Sequence, residues 1–179
     1  MPIDKEGIPI EGTEDYVWDH YKESVKMSTY LVAFVVSKFK FTETTLSNNV
    51  RFKIWSQPDL VDQTAFARDI GPKILDFFEG YFDIKFALPK QDMIAVPTFK
   101  TGAMENWGLI TYKKRYLLLH ENVTTAFMKQ KIARTISHEL AHQWFGKQNY
   151  VHSKAVIKSV ISNQITCHSN TENLTKQAV

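Results

Sequence analysis

From Thr29 to Phe41 (TYLVAFVVSKFKF) apolar, β-branched and aromatic residues first run together and then alternate with polar ones. That pattern predicts a buried strand followed by a half-exposed one. The Thr/Ser/Asn cluster from Thr42 to Asn49 predicts a loop, and strand character resumes from Phe52 to Trp55 with Phe52 and Ile54 on one face. From Pro58 the period lengthens. Asp59 is placed to cap a helix through Leu60, Ala67, Ile70, Ile74, Leu75, Phe78 and Phe82, with Gly71-Pro72 inside it predicting a kink or a junction of two helices. Met93 to Val96 reads as a short strand closed by Pro97. A turn with Gly102 and Gly108 near its ends then leads into the strand Leu109 to Tyr112. Val123 to Gly146 predicts one further helix, its apolar stripe made of Phe127, Ala133, Ile136 and Leu140 and its end capped by Gly146.

Composition narrows the class. The chain has 179 residues, 44% hydrophobic and 13% aromatic, enough for one sizeable core and unlike a disordered chain. The formal net charge of +3 resides after Phe145, where Lys147, Lys154, Lys158 and Lys176 oppose Glu172. No basic stripe interleaved with aromatics is present, so a nucleic-acid partner is not expected. One cysteine, Cys167, excludes an internal disulfide framework. The polar first sixteen residues lack the apolar core of a secretory signal, and Leu31 to Val36 is too short to span a bilayer. Asn122-Val123-Thr124 and Asn173-Leu174-Thr175 match the weak acceptor pattern for glycosylation.

The chemistry concentrates in the last helix. His138-Glu139-Leu140-Ala141-His142 is H-E-x-x-H, and residues four apart on a helix share a face, so both imidazoles can address one point in space. Two neutral imidazoles make half of a tetrahedral zinc site, and a catalytic zinc needs a third protein ligand and an open position for water. Glu139 stands where a general base for that water belongs. Glu105 lies in the turn, beside Trp107. A carboxylate there could pair with a cationic substrate group, of which a peptide's free amino terminus is the obvious one.

GAMENWGLITY followed by HELAHQWFG resembles the signature pair of the zinc aminopeptidases of the aminopeptidase N type, the gluzincin group. KMSTYLVAFVVSKF, GPKILDFFEGYF and LPKQDMIAVPTF are also similar to that family, so the likeness covers roughly Asp15 to Gly146. The resemblance implies an α+β chain: residues 1–45 as the last strands of an N-terminal β domain, 46–146 as the first part of a thermolysin-like catalytic domain, and 147–179 as a divergent tail. It implies zinc held by His138 and His142, Glu139 as general base, and Gly102, Ala103, Met104, Glu105 and Asn106 as the exopeptidase loop, with Glu105 on the substrate's α-amine. The implied reaction is hydrolytic removal of amino-terminal residues from peptides with one zinc ion. Family members of this type are commonly membrane-bound with an extracellular catalytic domain.

The likeness stops at Gly146. The family's third zinc ligand is a Glu separated from the second His by eighteen residues, and that position here is Ile161. His152, Cys167, His168 and Glu172 are chemically competent substitutes. The family's oxyanion-stabilising Tyr lies further downstream than this chain extends. The resulting expectations are a peptidase site incomplete in the isolated chain, or a peptide- or partner-binding chain without turnover. Exposed apolar surface is expected with either, and with it poor solubility or dependence on a partner.

Overall fold

The computed structural model describes residues 1–145. Two strands open the chain, β1 (Ile3–Pro9) and β2 (Val17–Tyr21), antiparallel and, among the described residues, paired only with each other. A five-stranded mixed sheet follows, built from β3 (Lys40–Thr45), β4 (Arg51–Ser56), β5 (Lys90–Val96), β6 (Ala103–Met104) and β7 (Leu109–Lys113) in the order β3-β4-β5-β7-β6. The central pairs β4/β5 and β5/β7 are parallel and the outer pairs β3/β4 and β6/β7 antiparallel. Two α-helices complete the fold of the described residues, α1 (Ala65–Phe82) between β4 and β5 and α2 (Ala126–Ala141) after β7. The parallel neighbours β4 and β5 need such a crossover, and α1 supplies it.

Register explains the core. Phe52 pairs with Gln91, Ile54 with Met93, Met93 with Ile110 and Ala95 with Tyr112, so these residues share one face of the sheet. Ala67, Leu75 and Phe78 of α1 and Ile132, Ile136 and Leu140 of α2 join them in one buried cluster. Gly71 is where α1 approaches the sheet: a Cβ added there would lie 2.6 Å from Cζ of the buried Phe52 ring. On the opposite side Leu31 is buried, its carbonyl accepting a hydrogen bond from Asn106 Nδ2 at 3.3 Å.

Five expectations are corrected. The run Thr29 to Phe41 is not two strands: a 3-10 turn covers Thr29–Leu31, residues 32–39 are irregular, and Phe34 and Val36 stand 87% and 94% exposed. β-Branched residues favour a strand only where a neighbouring strand takes up the backbone groups, and among the described residues none pairs with residues 32–39. The loop expected at Thr42 to Asn49 begins late, because Lys40–Thr45 is β3, in register with β4 from Lys40–Ser56 to Thr45–Arg51. A single helix runs through Gly71-Pro72, so there is no junction of two helices at that point. A 3-10 turn, Pro58–Thr64, carries Asp59 in its first turn, and Gln57 rather than Asp59 is the residue before it. Finally, Phe127 lies on the solvent side of α2 at 70% exposure, and Ile132 takes its place in the stripe. Gly146 as a helix cap lies outside the described residues.

Candidate active site

Helix α2 begins at Thr125, whose Oγ1 accepts from the Met128 amide at 3.3 Å, satisfying one of the free donors of the first turn. Its buried stripe fixes its rotation against the core and sets the opposite fate of His138, half-buried, and Glu139, buried. The helix ends at Ala141, so His142 follows in a continuing turn with its amide still bonded to the His138 carbonyl at 3.3 Å. The Nε2 atoms of His138 and His142 are 3.2 Å apart, their rings nearly perpendicular at 89°.

The tautomer of His142 follows from its other contact. Nδ1 lies 3.3 Å from the Phe145 carbonyl oxygen, which can only accept, so Nδ1 carries the hydrogen and Nε2 presents its lone pair. Two nitrogens bound to one tetrahedral zinc at about 2.0–2.1 Å would stand roughly 3.3–3.4 Å apart. The pair therefore fits half of such a site with little movement.

Carboxylates close the other side. Ligand atoms of Glu105, Glu139 and His142 lie within 4.8 Å of one another. Glu139 Oε2 is buried and has no hydrogen-bond partner among the described residues. Burial, and then the negative charge of Glu105, push the Glu139 carboxyl up from 4.5 to about 8. Glu105 reaches the site from edge strand β6, and Asn106 behind it is buried, donating to the Leu31 carbonyl and accepting from Thr111 Oγ1 at 3.0 Å. The Asn106 carbonyl also receives the Leu109 amide at 3.1 Å, and Gly108 takes φ +81° to turn the chain into β7. Gly102 needs no such freedom; its close neighbour is the Tyr116 ring, 3.3 Å from an added Cβ.

Comparison with known proteins gives the family. The Peptidase family M1 domain profile matches residues 66–155. An aminopeptidase N of Haemonchus contortus is 46% identical over 144 residues, 78% of this chain and 15% of the relative. Endoplasmic reticulum aminopeptidase 1 of Rattus norvegicus is 45% identical over 146 residues, 82% of this chain and 15% of the relative. Endoplasmic reticulum aminopeptidase 2 of Bos taurus is 48% identical over 128 residues, 72% of this chain and 13% of the relative. The chain belongs to peptidase family M1. It spans about a seventh of the length of these relatives.

In this family M1 chain the structure brings His138, Glu139, His142 and Glu105 together, and sets Gly102, Ala103, Met104 and Asn106 along the strand and turn that carry Glu105. Ile161, His152, Cys167, His168 and Glu172 lie outside the described residues. One residue not singled out from the sequence belongs to the same setting. Tyr112 is fully buried, its OH without a hydrogen-bond partner among the described residues, and burial first and the charge of Glu139 second hold its phenol well above the usual range. The sequence carries a signal for it only once register is known: Tyr112 is flanked by Ala95 on β5 and Ala103 on β6, two small residues beside a large ring.

Proposed function

We propose that this chain carries the zinc-binding and amine-binding part of an aminopeptidase that hydrolyses peptides from their free amino terminus. The supporting observation is the convergence of two imidazole Nε2 atoms at 3.2 Å with the carboxylates of Glu139 and Glu105. In this reading residues up to about 45 are the end of an N-terminal β domain and 46–146 the first part of a thermolysin-like catalytic domain, with β3 extending into the sheet of the second. His138 and His142 hold one zinc ion, which supplies Lewis acidity toward a carbonyl and lowers the pKa of water.

The remaining steps belong to side chains of this chain. Glu139 Oε2 takes the proton of the water that adds to the scissile carbonyl carbon and delivers it to the departing amide nitrogen. Glu105 pairs with the peptide's ammonium group, which limits cleavage to the first peptide bond. The turn around Asn106 holds Glu105 in place through its bonds to Leu31 and Thr111. A second reading, peptide binding without turnover, rests on Ile161 at the position of the family's third ligand.

Zinc per chain after exhaustive dialysis, measured on wild type and on His138→Ala, tests the first reading. About one zinc in wild type and little in the variant is the expected result. Little zinc in both leaves the second reading, and turnover of an aminoacyl reporter by zinc-loaded wild type but not by Glu139→Gln separates the two fully.

A further inference from the structure

Strand β6 is the edge of the five-stranded sheet, paired with β7 on one side alone among the described residues. The Gly102 carbonyl accepts from the Lys113 amide at 2.9 Å, so Gly102 turns its backbone toward β7, and the alternation of a strand turns Ala103 toward the open edge. An extended peptide can add there as a further strand. Glu105 follows the C-terminal end of β6, so a peptide whose ammonium meets Glu105 runs antiparallel to β6, back past Ala103 to Gly102. With the first residue opposite Met104 and its ammonium projecting toward Glu105, the second lies opposite Ala103 and the third, two steps of roughly 3.3 Å or about 7 Å on, opposite Gly102.

Gly102 is where a cationic cluster begins. The Tyr116 ring packs against it, at 3.3 Å from an added Cβ. Arg115 donates from Nη2 to the Tyr116 OH at 2.9 Å, and its guanidinium lies 4.8 Å from the ring centroid. Lys131 Nζ from α2 lies 5.1 Å from the same ring. Both cations are exposed, and among the described residues neither is in an ion pair with a carboxylate. Lys113 and Lys114 adjoin on the same stretch. Two unpaired cations held against one aromatic ring, at the end of an edge strand whose other end carries a carboxylate, give the edge a polarity: negative where an ammonium would sit, positive three residues on.

We infer that Arg115, Lys131 and Tyr116 form a subsite for an acidic side chain at the third residue of a peptide bound along β6. The inference rests on the proposed amine-binding role of Glu105, which sets the register. The partner is thus a peptide with a free amino terminus and Glu at position three.

The test is equilibrium binding of fluorescent, C-terminally amidated tetrapeptides Ala-Ala-Glu-Ala and Ala-Ala-Gln-Ala to the zinc-supplemented chain by anisotropy, each with free and acetylated amino termini. The Glu peptide is expected to bind about three- to fivefold more tightly, a preference that shrinks on raising salt. The pair of substitutions Arg115→Gln and Lys131→Gln abolishes the preference and leaves the Gln peptide unaffected. Glu105→Gln weakens both peptides in parallel. Equal binding of Glu and Gln peptides, with a free amine still required, overturns the subsite and leaves the proposed function standing. A Glu preference retained in the double variant also overturns the subsite. Acetylated peptides binding as well as free ones overturn the amine-binding role and the register with it, and no binding of any peptide overturns both.

Discussion

Glu139 shows how one side chain can tie a site's chemistry to the stability of the chain. Its carboxyl is buried and pushed up to about 8 in the metal-free protein, by burial first and by Glu105 second. An acid whose folded pKa exceeds its unfolded value binds its proton more tightly when folded, so between about 4.5 and 8 the folded state holds more protons than the unfolded one. Stability therefore falls as pH rises through that window; the contribution is whole below 4.5 and gone above 8. The shift corresponds to a loss on the order of 5 kcal/mol. Urea unfolding in chelator at pH 5 and pH 9 should show this slope in wild type. Glu139→Gln should flatten it and be the more stable protein at pH 9. Equal slopes in the two would mean that Glu139 is ionised throughout. The same residue illustrates what is legible in one dimension: the spacing of His138 and His142 puts two imidazoles on one side, and their Nε2 atoms stand 3.2 Å apart. The carboxylate of Glu105 is 34 positions away from Glu139, and only the pairing of β6 with β7 brings it there.

At the scale of elements, legibility follows how much of an element's stability is local. Helix α2 announces itself by its stripe, and α1 does too, although Gly71-Pro72 suggests a kink or a junction of two helices, and the helix runs on without the junction. Pro costs the helix one hydrogen bond and crowds the preceding turn. Packing of Ala67, Leu75 and Phe78 onto the sheet outweighs that cost. Thr29 to Phe41 misleads for the converse reason, since a strand depends on neighbours that no local pattern specifies. The contact of α1 with the sheet is tested by Gly71→Ala. The new methyl would fall 2.6 Å from the buried Phe52 ring, which has core on its other side and cannot swing clear. Helix propensity alone favours alanine by about 1 kcal/mol, whereas overpacking a core costs roughly 1–3 kcal/mol. Net destabilisation is expected, seen as a lowered melting temperature, and Phe52→Leu in the same chain should recover part of it. A melting temperature raised by Gly71→Ala alone would show that α1 can lift from the sheet freely.

At the scale of the whole molecule, the buried cluster is continuous from sheet to both helices, yet large apolar side chains remain in solvent at several separate places. Phe34 and Val36 lie on the irregular stretch after Leu31, Tyr81 and Ile84 at the end of α1, and Val123 and Phe127 at the start of α2. Single exposed apolar residues are ordinary; Phe34 and Val36, two residues apart and nearly fully exposed, form the barest pair. Neither belongs to the core cluster, so replacing both with Ser removes apolar surface from water without opening a cavity. Unfolding free energy should change by no more than about 0.5 kcal/mol, the range of surface substitutions. Self-association should fall, because contact between such patches is driven by the apolar area they withdraw from water. The measurement is light scattering against protein concentration, paired with urea unfolding, on wild type and the double Ser variant. Reduced scattering at unchanged stability is the expected pair of results. Unchanged scattering would show that association does not run through Phe34 and Val36 and would leave the other exposed places, such as Tyr81 and Ile84 at the end of α1 and Val123 and Phe127 at the start of α2, to be tested in turn.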